Sequence, residues 1–167
     1  MQFTVTPMTD TAARAIVQWR YAEPYALYNM GGSDEAAGVR YLLDGVNDYH
    51  AIHNEMGELV GFCCFGREAQ VPGGDYAAAA LDVGLGMRPD LTGQGLGTAL
   101  LTAILEFAAQ EIDPARWRAT VASFNIRSQR IFTKAGFQPV QTFLSRSEAP
   151  LAFVVVTKEL VSSKQYN

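Results

Sequence analysis

Between Leu81 and Gln110 the chain reads LDVGLGMRPDLTGQGLGTALLTAILEFAAQ, and this stretch constrains the fold more than any other. Residues 76–87 carry a strand pattern. Leu81, Val83, Leu85 and Met87 fall on one face, and Asp82, Gly84 and Gly86 on the other. Glycine weakens a strand interior and marks the close approach of a backbone, a helix or a ligand. Three alternate glycines follow, Gly93, Gly95 and Gly97. Then Leu96, Leu100, Ile104 and Phe107 recur at helical spacing, with Leu101, Leu105 and Ala108 beside them. A helix apolar over so wide an arc packs on a sheet. A strand that feeds a glycine loop into a helix start is a phosphate site in outline. Its first-turn N–H groups have no intrahelical partner, the helix start is partly positive, and glycine lets a ligand reach the backbone.

Two common nucleotide readings fail on residues. A P-loop needs a lysine, then Ser or Thr, directly after the glycines, and no lysine follows them. A dinucleotide fingerprint needs a third glycine where Leu100 stands and an acid at the end of the next strand, whereas Asp113 lies in a loop before it. The 167 residues suit one domain, 1–167, with a sizeable core, and 49% hydrophobic with 18% charged residues is ordinary for a globular protein. A net charge of −4 argues against a nucleic-acid surface. No apolar run is long enough for a membrane span, and no basic-then-apolar leader opens the chain. The adjacent Cys63 and Cys64 point to opposite faces of a strand and form no disulfide framework, so a cytoplasmic location is expected.

In chain order, Gln2–Thr6 alternates as a strand, and Thr9 or Asp10 caps a helix running to about Arg20. Pro24 suits the first turn of a second short helix in the tyrosine-rich segment 21–30. There Trp19, Tyr21, Tyr25 and Tyr28 form either core packing or the wall of a substrate pocket able to receive a cation. Residues 34–43 read as a helix, and 48–53 with 58–65 as a hairpin around Asn54–Gly57. His50 and His53 lie near the two cysteines, but the pleat sends each pair to opposite faces, so no metal site is expected. Residues 116–124 form a strand, Asn125 caps a helix ending at Gly136, and 137–143 and 151–158 are final strands. The pattern is one mixed α/β domain.

Two segments make a resemblance specific. Met87, Arg88 and Pro89, then the loop Thr92, Gly93, Gln94, Gly95, Leu96, Gly97 and the helix start at Thr98, resemble motif A of the GNAT superfamily of acyl-CoA N-acyltransferases. The segment VASFNIRSQRIFTKAGF at 121–137 resembles its motif B, with Asn125, Gly136 and Phe137 in order and spacing. The hairpin ending Gly57 to Gly61 resembles the strands that precede motif A. The resemblance implies a central, mostly antiparallel twisted sheet of six or seven strands, helices on both faces and splayed central strands. It implies acetyl-CoA as co-substrate without a metal. The pyrophosphate would sit on the amides of roughly Gly93 to Thr98, beside Thr92, and the pantetheine arm along Leu85, Gly86 and Met87, with Asn125 and Phe132 on the other side. Dimers are frequent in similar proteins, so a homodimer is an expectation.

The implied activity is direct transfer of acetyl to a primary amine of a small molecule or peptide. A lysine-like amine of pKa about 10.4 is neutral in roughly one molecule in 10³ at pH 7, and a positioned base contributes about 10²–10⁴ in rate. Asp82 is the candidate base, where relatives often carry a glutamate; the alternative is an ion-paired carboxylate. Glu23 and Glu58 are weaker candidates. Two departures stand out. Thr92 replaces the usual Arg or Gln, and Phe132 replaces a tyrosine that protonates the leaving thiolate, which phenylalanine cannot do. Ser123, Tyr25 and Tyr28 are candidate replacement donors. The rival reading is an acyl-CoA-binding sensor or regulatory module without turnover.

Overall fold

The computed structural model describes residues 1–160; the last residues of the expected domain, 161–167, lie outside the described residues. The strands are β1 (Phe3–Pro7), β2 (Tyr49–Asn54), β3 (Leu59–Phe65), β4 (Leu81–Met87), β5 (Arg116–Ala122), β6 (Gln138–Leu144) and β7 (Ala152–Glu159). The α-helices are α1 (Asp10–Val17), α2 (Glu35–Leu43), α3 (Gly97–Glu111) and α4 (Ile126–Lys134). One sheet runs β1-β2-β3-β4-β5-β7-β6. Every junction is antiparallel except β4 with β5. This is the mixed α/β architecture expected.

The side-chain oxygens of Thr9, Asp34 and Asn125 cap α1, α2 and α4 by accepting from backbone N–H groups three residues on. Several boundaries differ from the sequence pattern, three of them with a local cause. Helix α1 stops at Val17, not near Arg20, because the Arg20 guanidinium bonds the Val17 carbonyl at 2.7 Å and satisfies the helix end. The short helix around Pro24 is a 3-10 turn, Tyr25–Tyr28, closed by a bond from the Asn29 N–H to the Ala26 carbonyl. Strand β4 begins at Leu81 rather than Tyr76. The Tyr76 hydroxyl instead bonds Val71 and Thr120 and ties the preceding segment down as a loop.

Helices cover both sheet faces. Ala13, Ile16 and Val17 of α1 and Val39 and Leu42 of α2 pack with Phe62 of β3. On the opposite face Leu100, Leu101, Ile104 and Ala108 of α3 join Cys63, Phe65, Val83, Trp117 and Ala119. Each fully buried leucine or isoleucine there contributes about 1.5–3 kcal/mol. This anchoring fixes the start of α3 at the end of β4, where the glycine loop enters.

Candidate functional site

The one parallel junction is also the incomplete one. Strands β4 and β5 pair only at Leu81 with Trp117 and Asp82 with Arg118. Beyond Asp82 they separate, while β4 stays paired with β3 as far as Met87. The Arg88 N–H bonds the Val60 carbonyl on the β3 side. Antiparallel alternation therefore turns the N–H and C=O of Val83, Leu85 and Met87 away from β3 and into the seam. A cavity of about 660 Å³ opens there, lined from both strands and from the first turns of α3 and α4.

The glycine loop closes one end of this cavity. Gly93 and Gly95 have φ of +76° and +79°, a region that side chains other than glycine rarely adopt. A Cβ on Gly95 would meet nothing within 4 Å, so open space lies directly against that backbone. A Cβ on Gly97 would lie 2.2 Å from the Ile131 side chain, so this glycine instead lets α4 approach α3. No side chain caps the start of α3, and no acidic residue occupies its first turn. Its free N–H groups and partial positive charge face the cavity beside Thr92, Gly93, Gly95, Leu96 and Thr98. Gln94 does not line it; its amide bonds the Asp90 carbonyl at 2.7 Å and braces the loop. The Thr92 hydroxyl is likewise turned back, donating to the Pro89 carbonyl at 2.8 Å.

Three basic side chains that the sequence pattern did not single out reach the cavity from α4. Arg127, Arg130 and Lys134 of α4 line the cavity. Arg127 lies closest to the loop, its Nη1 3.5 Å from where a Cβ on Gly93 would stand. Its guanidinium stacks 4.2 Å from the Tyr25 ring centroid and bonds the Tyr25 hydroxyl. The signal was legible in principle, because residues i, i+3 and i+7 share a helix face. They supply the positive charge that Thr92 lacks.

The bare strand face is filled from the neighbouring strand. A Cβ on Gly86 would lie 2.3 Å from the Phe62 ring, and one on Gly84 2.9 Å from the Cys64 sulfur. The two glycines make room for side chains of β3, not for an extended arm along that face. Gly84, Gly86, Phe62 and Cys64 form one wall, while Leu85 and Met87 turn their backbone to the seam. The Met87 carbonyl already accepts from the Tyr21 hydroxyl at 2.7 Å, which leaves Leu85 as the open strand position.

Asp82 is buried and does not line the cavity. Both carboxylate oxygens accept from Arg118, at 2.6 and 2.7 Å, and Gln70 donates at 2.9 Å. Arg118 also bonds the Ala78 carbonyl and lies over the Tyr76 ring. Its hydrogen bonds to Asp82 hold the guanidinium pKa above its ordinary value. With both oxygens taken up by three donors and no face on the cavity, this carboxylate has no access to an acceptor amine, so the geometry favours the ion-pair alternative over the base. Ser123 also lies off the cavity wall, with its carbonyl held by Gln129 at 2.8 Å.

Asn125, Tyr25, Tyr28 and Phe132 do come together on the cavity. Asn125 caps α4 and donates its amide N–H to the Tyr28 hydroxyl at 3.2 Å. Tyr25, Tyr28 and Phe124 form one aromatic cluster. Burial raises the Tyr28 phenol pKa, so the hydroxyl keeps its proton. Phe132 is buried edge-on against Phe137 at 5.0 Å and offers only a hydrocarbon surface. Glu68, on the 3-10 turn Gly66–Ala69, also lines the cavity. Among the described residues no three His, Cys, Asp or Glu side chains are grouped to hold a metal ion, and no helix is long and apolar enough to cross a membrane.

Known proteins share this fold. A family model described as an acetyltransferase (GNAT) domain matches residues 2–138. An N-acetyltransferase of Streptomyces griseus is 39% identical over 72 residues, a match spanning 43% of this chain and 36% of the relative. A chimera of the spermidine N-acetyltransferase SpeG from Vibrio cholerae and hSSAT superposes with a TM-score of 0.73 at 12% identity, covering 95% of this chain and 96% of the other. The Salmonella typhimurium protein yncA, a putative acetyltransferase solved with its cofactor acetyl-CoA, gives 0.65 at 16% identity, covering 98% and 97%. At such identities the likeness to these structures is one of fold.

Proposed function

We propose that this chain, which belongs to the GNAT acetyltransferase family, moves an acetyl group from acetyl-CoA directly to a primary amine of a small molecule or peptide. The observation that carries this reading is the open seam between β4 and β5, with the Leu85 backbone on one edge and the glycine loop at its end. The residues fit coenzyme A. The loop amides at Gly93 to Thr98 and the side chains of Arg127, Arg130 and Lys134 suit its phosphates. The unpaired N–H and C=O of Leu85 suit an extended amide-bearing arm, as an added strand would.

Acetyl-CoA would supply an acyl group already activated as a thioester. The chain's own residues orient it and exclude water. Phe62 and Cys64 wall the seam, and Phe132 keeps the α4 side apolar. Tyr28 accepts from Asn125 and keeps its own hydrogen free to meet a departing thiolate. A thiol of pKa about 8.5 leaves as its anion near neutrality, so that help is an assistance and not a requirement. The spermidine acetyltransferase fold and the acetyl-CoA-bound neighbour support an amine acceptor and this cofactor. The two buried free thiols, Cys63 and Cys64, fit a reducing cytoplasm.

The test couples calorimetric titration of acetyl-CoA with thiol release across amines, amino acids, polyamines and peptides. Binding with amine-dependent release supports the reading. Binding with silence on the whole panel favours a sensor module instead, for which Thr92 and Phe132 speak. Absence of binding removes both.

A further inference from the structure

The cleft is electrically polar. Arg127, Arg130 and Lys134 line it from α4, with Arg127 beside Gly93 of the glycine loop, and among the described residues Glu68 is the sole acidic side chain lining it. Its turn sits over Gly84, since a Cβ there would lie 3.4 Å from the Ala69 Cβ. Gly84 precedes Met87 by three residues, about 10 Å along the strand and away from the glycine loop. Glu68 therefore marks the inner end of the seam, next to the point where the Asp82–Arg118 pair closes it. Gln70, two residues on, is already committed to Asp82. Among the described residues the Glu68 carboxylate makes no ion pair. The same cavity presents Tyr28, Phe62, Leu27 and Met30. A free carboxylate beside aromatic rings in a partly enclosed cavity is a receptor for an ammonium group.

We propose that Glu68 receives the ammonium of the acceptor and takes its proton, an assignment that rests on the acetyltransferase reading above. The proton passes from the ammonium nitrogen to the Glu68 carboxylate and on to solvent. The freed lone pair forms the N–C bond at the thioester carbonyl. The C–S bond breaks with its electron pair on sulfur, and the second nitrogen proton balances the thiolate to give thiol and amide. The preferred acceptor is a primary amine on an apolar or aromatic body, without a carboxylate beside the amine to repel Glu68.

Glu68→Gln keeps the shape and removes the charge, and Glu55→Gln, exposed on the hairpin turn and outside the cavity, is the control. The protein is loaded with coenzyme A and titrated with butylamine, 2-phenylethylamine, spermidine and the uncharged 2-phenylethanol; kcat/KM with acetyl-CoA is then followed against pH. In the wild type an amine binds and 2-phenylethanol binds more weakly. In Glu68→Gln coenzyme A affinity is unchanged, amine affinity falls about tenfold, as for loss of a charged hydrogen bond, and kcat/KM falls about 10²-fold with a flattened acid limb. Glu55→Gln behaves as wild type. Unchanged amine affinity in Glu68→Gln overturns the proposal, as does a wild type that binds coenzyme A but none of the amines. A wild type that fails to bind coenzyme A at all removes the acetyltransferase reading, and this assignment with it.

Discussion

Replacing Asp82 by asparagine separates a structural role from a catalytic one. The Asp82 and Arg118 side chains are 2% and 5% exposed and share two hydrogen bonds. In Asp82→Asn one guanidinium edge faces an amide N–H in place of a carboxylate oxygen, and the Arg118 charge stays buried without its counter-ion. Breaking such a pair from one side costs about 3–5 kcal/mol. For a chain of this length each kcal/mol is worth roughly 2–4 °C, so Tm falls by about 6–20 °C. Urea unfolding and thermal melting read the loss, and thiol release well below the new Tm reads the chemistry. A further variant, Asp82→Leu with Arg118→Met, recovers much of the lost stability because the pair's desolvation is removed together with its attraction. A Tm equal to wild type combined with a collapse of kcat and a flattened pH profile would refute this reasoning and return Asp82 to the role of base.

Gly95→Val puts a β-branched residue at a φ of +79° and its side chain into the loop's open space; coenzyme A binding by calorimetry is lost while the fold survives a strain of about 1–3 kcal/mol, and normal affinity contradicts the phosphate placement. Arg127→Ala and Arg130→Ala each weaken coenzyme A about tenfold, the size of a lost charged hydrogen bond, and together they reduce the salt dependence of binding; an unchanged slope contradicts their phosphate role. Burial pushes the Cys64 thiol up to about 12 from its ordinary 9.0. It therefore resists iodoacetamide at pH 8 until the chain is unfolded. The sign of the linkage is that stability present below the unfolded-state pKa is lost as pH rises from near 9 toward 12; a Cys64→Ala variant shows less of this alkaline loss, and rapid labelling of the native chain contradicts the burial.

Local features were legible in the sequence. Thr9 and Asn125 cap helices because a cap needs only a short side chain and an N–H three residues away. Gly93 and Gly95 marked the loop because its backbone demands φ values other residues avoid. Long-range partners were not legible. Asp82 meets Arg118 from 36 residues away, and nothing in the alternation of β4 distinguishes an ion-paired carboxylate from a base. The glycines of β4 announced a close approach, but only the β3 register identified Phe62 and Cys64 as what approaches. Glu68 sat in a stretch without periodicity, so the turn that carries it over Gly84 left no pattern. The resemblance to the GNAT superfamily came from two short motifs, and the match over residues 2–138 establishes it.

The central claim is that the seam between β4 and β5 is a coenzyme A site. A crystal structure of the protein grown with coenzyme A tests it most directly. The account predicts pyrophosphate density on the amides of Gly93 to Thr98 within reach of Arg127, and an extended arm bonded to the Leu85 backbone between the separated strands. Coenzyme A bound elsewhere on the surface, or a seam closed by a side chain with the ligand bound outside it, would contradict the account.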